Sequence, residues 1–146
     1  TPAIMVGALY LSGECPAGAT NCTVDREYSR TGLDAQGDVG SFKLTGAFVS
    51  AEDDNATATA TEKNTAFYAQ AIYIMLGKNG GPSLVPLIRY DSTESNDGAD
   101  NVDVVTLNIT KFFRENIKGY IEYAKDTKNT LGEKISRVTL QLEFGF

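Results

Sequence analysis

The side chains that could do chemistry in this sequence are mostly charged, and many of them alternate with apolar residues. In the last stretch, Arg137 and Glu143 fall on one side of an extended chain, opposite Val138 and Phe144. The sequence has no histidine, which excludes Ser-His-Asp and Cys-His catalysis, and it has no phosphate-binding Gly-rich motif. Carboxylates such as Glu122 and Glu143 could pair as acid and base. Charged residues of this kind are also expected on the water-facing side of any β-barrel. We therefore expect that the protein is not an enzyme.

The only cysteines are Cys15 and Cys22, and a turn-rich hexapeptide separates them. Their spacing is wrong for a CxxC metal or redox site, and a zinc site would need carboxylates to complete it. A disulfide between them is the expected state, which implies an oxidising compartment.

Two acidic stretches contain oxygen ligands that Ca²⁺ or Mg²⁺ could use. One is Asp53-Asp54, and the other is 94–103, which only faintly resembles an EF-hand loop and lacks its closing glutamate. We expect solvated loops, with divalent bridging to lipopolysaccharide as the alternative. We therefore expect no protein metal site and no cofactor.

Charge and hydropathy narrow the class of protein. The formal net charge is -6 and Lys/Arg residues form no cluster, which argues against a nucleic-acid partner. The longest apolar runs are far shorter than the ~20 residues of a membrane helix. A spanning β-strand needs only ~9–11 residues and exposes every second one to lipid. We expect one domain over residues 1–146.

Apolar residues recur with a period of two, which favours strands over amphipathic helices. The predicted strands are longer than those of most soluble sheets. They are Ala3 to Gly13, Ser29 to Val39, Phe42 to Ala51, Thr65 to Leu76, Leu84 to Ser92, Val102 to Phe113, Ile117 to Thr127 and Ile135 to Phe146.

The connections between these strands alternate between short turns and long polar loops. The short ones are Gly40-Ser41, Gly77 to Ser83 and Arg114 to Asn116, and the long ones are Glu14 to Tyr28, Glu52 to Asn64, Thr93 to Asn101 and Lys128 to Lys134. This alternation is typical of an antiparallel up-and-down transmembrane β-barrel in the bacterial outer membrane. It places the C-terminus at the periplasmic side and the long loops outside.

The two faces of each strand predict different surroundings. Leu33, Leu107 and Leu140 belong to the face expected to contact lipid, and a girdle at its edges is predicted from Tyr10, Tyr68, Tyr73, Tyr90, Tyr123, Phe113 and Phe146. The other face is expected to be wet, because it carries the charges; the alternative is a soluble β-sandwich whose core is the apolar face. The candidate pore-lining residues are Asp34, Asp38, Lys43, Arg89, Asp91, Lys118, Glu122, Asp126, Arg137 and Glu143.

The stretch 138–146, Val-Thr-Leu-Gln-Leu-Glu-Phe-Gly-Phe, resembles the C-terminal strand of outer-membrane porins. Further resemblance to the late strands of a large Gram-negative porin lies in 32–46, 85–91 and 117–123. In that family the last strand is recognised by the barrel-assembly machinery. The resemblance therefore implies an assembly signal at Leu140, Leu142, Phe144 and Phe146.

Strand number leaves two arrangements open. Eight strands can close a small barrel whose interior is filled by side chains, whereas large porins have more strands and a water channel. The chain is thus either a complete small barrel or the C-terminal half of a larger one, and its late-porin features favour the larger barrel.

The expected function is a porin, a passive diffusion channel for small solutes or ions. The alternatives are a non-conducting eight-stranded barrel that serves as an anchor, adhesin or scaffold, and a small barrel enzyme. Expected partners are outer-membrane lipid, lipopolysaccharide, the assembly machinery, and a companion barrel chain or further copies of this chain.

Overall fold

The computed structural model describes residues 3–18, 23–54, 59–114 and 116–145. Within these ranges the chain is almost entirely β-strand, with one 3₁₀ turn at Asn96–Gly98. The strands are β1 (Ala3–Cys15), β2 (Arg26–Val39), β3 (Phe42–Asp54), β4 (Thr61–Tyr73), β5 (Met75–Leu76), β6 (Pro82–Ser95), β7 (Asp100–Arg114), β8 (Ile117–Asn129) and β9 (Ser136–Phe144).

The described strands form one antiparallel sheet in which neighbours in sequence are neighbours in space. The order is β1-β2-β3-β4-β6-β7-β8-β9, and the short β5 pairs with β6. The predicted all-β, antiparallel, up-and-down arrangement is therefore confirmed. In the described part of the chain β1 and β9 make no contact with each other, so the sheet is not closed.

β4 and β5 occupy the place of a single predicted strand, and the interruption lies opposite a proline. Ile72 pairs with Leu87 and Met75 with Leu84, which places Pro86 opposite Tyr73, the last residue of β4. The register then shifts between Met75 and Leu76. Proline has no N–H to donate to a neighbouring strand. On the β3 side the pairing continues past this point, since Ile74 donates its N–H to the carbonyl oxygen of Ser41 (2.8 Å).

Most strands extend two to four residues further toward the long loops than the alternation predicts. β2 begins at Arg26 rather than Ser29, and β6 ends at Ser95 rather than Ser92. Backbone pairing does not require apolar side chains, so the ladders continue beyond the last apolar residue. The loop ends of the strands are therefore polar on both faces.

The sheet is a single layer without a conventional core. Among the described residues only Gly32 and Asn101 are buried, and no large side chain is fully buried. A soluble sandwich would bury one face of the sheet against a second layer, and the described strands contain no second layer. No helix in the described ranges has the length and apolar character needed to cross a bilayer.

Candidate functional site

One face of the sheet, here called the apolar face, carries a continuous band of exposed hydrophobic side chains. The exposed fraction reaches 75% at Leu140 and 74% at Ile4 and Val6. Each long strand contributes every second residue over about seven positions. Large members are Ile4, Val6, Leu33, Leu44, Phe48, Phe67, Ile88, Leu107, Ile109, Ile121, Val138, Leu140 and Leu142.

The band runs obliquely across the sheet. At its loop-side edge, the row of paired residues that starts at Tyr10 reaches β6 at Glu94, yet the last band residue on β6 is Tyr90, four residues away. The opposite edge moves equally, because the row of Ile4 reaches β6 at Ile88 but the band continues to Leu84. The band thus keeps a constant width and shifts by four residues over the four steps from β1 to β6, an average of one residue per strand.

That shift gives the tilt of the strands. One residue of ~3.3 Å for each strand spacing of ~4.8 Å corresponds to a tilt of about 35° against the normal of the band. Strands of outer-membrane barrels tilt by roughly 35–45°. The band continues the same shift beyond β6. The row of Tyr90 reaches β8 at Lys125, whereas the last band residue on β8 is Tyr123, two residues closer to the turns.

Aromatic residues concentrate at both edges of the band. Phe42 and Tyr73 lie at the turn-side edge with ring centroids 4.6 Å apart, and Phe67 and Tyr90 lie at the loop-side edge, 6.4 Å apart. Tyr10, Tyr73, Tyr90, Tyr123 and Phe113 lie on the apolar face, as the girdle prediction requires. Phe146 lies outside the described residues.

The placement of Tyr68 in the girdle is wrong. It pairs with Ala47 and Asp91 on the charged face, where the Arg89 guanidinium carbon lies 4.6 Å from its ring centroid. β4 has aromatic residues on both faces at this point, so residue type alone does not reveal which one is outward.

The opposite face, here called the polar face, holds every predicted pore-lining residue. These residues share one side of the sheet because they occupy every second position in register across it. They are Asp34, Asp38, Lys43, Arg89, Asp91, Lys118, Glu122, Asp126, Arg137 and Glu143.

Ion pairs on the polar face connect residues of the same or neighbouring strands. Arg89 Nε lies 2.8 Å from Asp91 Oδ2, Lys118 Nζ lies 2.9 Å from Glu143 Oε2, and Lys43 Nζ lies 3.9 Å from Asp38 Oδ1. The exposed fractions of these side chains lie between 32% and 44%. They are partly solvated, so their fixed charges remain within reach of ions in adjoining water.

Four predicted residues carry charges without an opposite charge within 4 Å in the described part of the chain: Asp34, Glu122, Asp126 and Arg137. Glu122 accepts a hydrogen bond from Asn108 Nδ2 (3.3 Å). The Asp34 carboxylate lies across Gly7, where a Cβ would overlap it. The uncompensated charges of the predicted set are therefore three negative and one positive.

One ion pair on the polar face, near the loops, was not predicted from the sequence. Arg30 Nη2 lies 2.8 Å from Asp53 Oδ1. Asp53 was considered as a loop ligand for a cation, but it belongs to β3 and lies on the polar face beside Tyr28. Arg30 continues the alternation of Asp34 and Asp38 along β2, which is the signal that could have identified it.

A hydrogen-bonded ladder on the polar face joins β8 to β9. Tyr120 donates its hydroxyl to Gln141 Oε1 (2.6 Å), and Gln141 Nε2 donates to Glu143 Oε1 (3.1 Å). The Lys118–Glu143 ion pair completes this β8–β9 ladder. It holds the last strand from the polar face while Leu140, Leu142 and Phe144 of the predicted assembly signal stay exposed on the apolar face.

The loop residues considered as metal ligands serve the loops themselves. Asp97 Oδ1 accepts the Lys63 N–H (3.0 Å), and the Asn96 amide contacts Asp100 Oδ2. Within the described residues no three acidic or Cys side chains are grouped to hold a metal.

The predicted disulfide can be followed at one end only. Cys15, the last residue of β1, is disulfide-bonded, and Cys22, its predicted partner, lies outside the described residues.

Comparison with protein-family models, curated proteins and solved structures found no match to this chain.

Proposed function

We propose that this chain forms the wall, or part of the wall, of a membrane-spanning β-barrel and that the barrel is a passive, water-filled diffusion pore. The observation that carries the proposal is the oblique apolar band. Its constant width, its aromatic edges and its shift of one residue per strand match a lipid-facing surface on tilted strands. A protein-covered patch has no reason to keep one width across every strand.

The polar face supports the pore rather than a sealed interior. Its charges are partly solvated and pair with side neighbours, as expected for a wall beside water. The outer membrane of a bacterium is the location this arrangement fits, with the turns on the periplasmic side.

The purified chain is reconstituted in vesicles, and these are fused with a planar bilayer. Recording the current across that bilayer tests the proposal. We expect stepwise, ohmic conductance with a weak preference for cations, because carboxylates exceed cations among the uncompensated residues. Vesicle-inserted protein with native β-structure and no conductance above the bare bilayer would contradict a pore.

Two neighbouring substitutions on β7 provide a matched control. Leu107→Arg places a charge in the apolar band and should lower stability in the bilayer by roughly 2–4 kcal/mol, with loss of channels. Thr106→Arg adds the same charge to the polar face, and its channels should persist with altered ion preference. Equal effects of the two substitutions would mean that the apolar face does not contact lipid.

A further inference from the structure

The two outermost strands have backbone hydrogen-bonding groups without partners in the described sheet. β1 pairs only with β2, and β9 only with β8. β1 lacks the usual protection of a sheet edge, because Ala3 to Gly13 contains no proline and no charged side chain. In a bilayer such edges cannot stay open, since lipid offers no hydrogen bonds.

The two edges are complementary in direction and in their apolar bands. With eight long strands in an up-and-down sheet, β1 and β9 run antiparallel. If the average shift of one residue per strand continues past β9, Tyr10 lies opposite Leu140 and Ala8 opposite Leu142. The apolar band would then continue across the junction without a step.

Closure within one chain conflicts with the polar face. Eight strands with a shift of one residue per strand form a barrel of shear 8, whose interior is a packed core of side chains. That interior would have to bury Arg30, Lys43, Arg89 and Lys118 together with their carboxylates, and Arg137 without one, at a high desolvation cost. In the structure these partly exposed ion pairs lie along the wall and not across it.

We infer that a second copy of this chain completes the wall, with β9 of each copy paired to β1 of the other. Two copies related by a two-fold axis along the membrane normal give a closed barrel of sixteen long strands, eight from each copy. Both edges of each copy are then satisfied, and the wider lumen keeps the charged residues in water. This inference rests on the proposed membrane location and adds the partner that the wall requires.

Cysteine cross-linking between separately labelled copies tests the partner. Chains carrying only Ala8→Cys are mixed with chains carrying only Leu142→Cys, refolded together in vesicles and oxidised. We expect a cross-linked species of twice 15.7 kDa, about tenfold or more as abundant as with the parent chain, whose native cysteines control for background. Leu9→Cys mixed with Leu142→Cys should remain uncross-linked, because Leu9 faces the polar side.

A chain that carries both Ala8→Cys and Leu142→Cys distinguishes the alternatives. Cross-linking within single chains, together with no product from the mixed copies, would overturn the inference in favour of a self-closed barrel. Absence of both products in membrane-inserted protein would mean that other strands cover the edges, and would overturn it as well. The proposed pore fails separately, when inserted protein does not conduct.

Discussion

At the scale of single residues, side-chain type and strand parity together decide what each position contacts. Arg89 illustrates this, since it lies between Asp91 and the ring of Tyr68 on the polar face. Lys111 carries the same charge on the opposite face, where its Nζ donates to Ser83 Oγ (3.1 Å) near the turns. The two cations therefore carry the same charge on opposite faces of the sheet.

Arg89→Gln should raise the preference of the pore for cations. The substitution removes the cation that compensates Asp91, so the wall gains one net negative charge. We expect the cation-to-anion permeability ratio, measured from reversal potentials in a KCl gradient, to rise about twofold.

Lys111→Gln is the control, because it removes an equal charge from the apolar face. Its permeability ratio should equal that of the parent chain. A ratio that responds to Lys111→Gln and not to Arg89→Gln would reverse the assignment of the two faces.

At the scale of elements, neighbouring strands are joined by ladders whose side chains act on one face only. The β8–β9 ladder joins Tyr120 to Gln141, and Tyr123 on the same strand points to the other face beside Val138. The hydroxyl of Tyr120 is therefore a specific contact between the last two strands.

Tyr120→Phe should lower the free energy of unfolding in vesicles by about 1 kcal/mol, because one hydrogen bond is lost with little change in packing. Urea titration followed by tyrosine fluorescence or circular dichroism measures the change. Tyr123→Phe, which removes a hydroxyl without a described partner, should change it by less than half as much. Equal effects would mean that the ladder does not hold β9.

Sequence patterns predicted the elements well wherever residue types alternate without exception. β9 is the clearest case, because Val138, Leu140 and Leu142 alternate strictly with polar residues. β1 is the opposite case: Met5, Leu9 and Leu11 lie on the polar face, so both of its faces are apolar and alternation cannot reveal them.

The remaining differences arise from backbone pairing. The gap opposite Pro86 and the extension of strands into polar segments depend on hydrogen bonds, which hydropathy does not report. The candidate pore-lining residues do lie on one face of the sheet. Their pairing was not predicted, because it depends on the register between strands. The Arg30–Asp53 pair, for instance, requires Tyr28 to lie opposite Asp53.

At the scale of the whole molecule, the described chain is a single layer of strands with the apolar band on one side and the candidate pore-lining charges on the other. A protein of this size in water normally buries its apolar side chains in a core, whereas here Leu140 is 75% exposed. Lipid on the apolar face and water on the polar face satisfy both sides at once. This assignment of the two faces is the central claim.

Spin labels placed one at a time at Val105, Thr106, Leu107, Asn108 and Ile109 of β7 test that claim most directly. In vesicles, we expect high collision rates with lipid-soluble oxygen at positions 105, 107 and 109, and with a water-soluble nickel complex at 106 and 108. Accessibility without this alternation, or positions 105, 107 and 109 shielded from both reagents, would contradict the assignment of the apolar face to lipid.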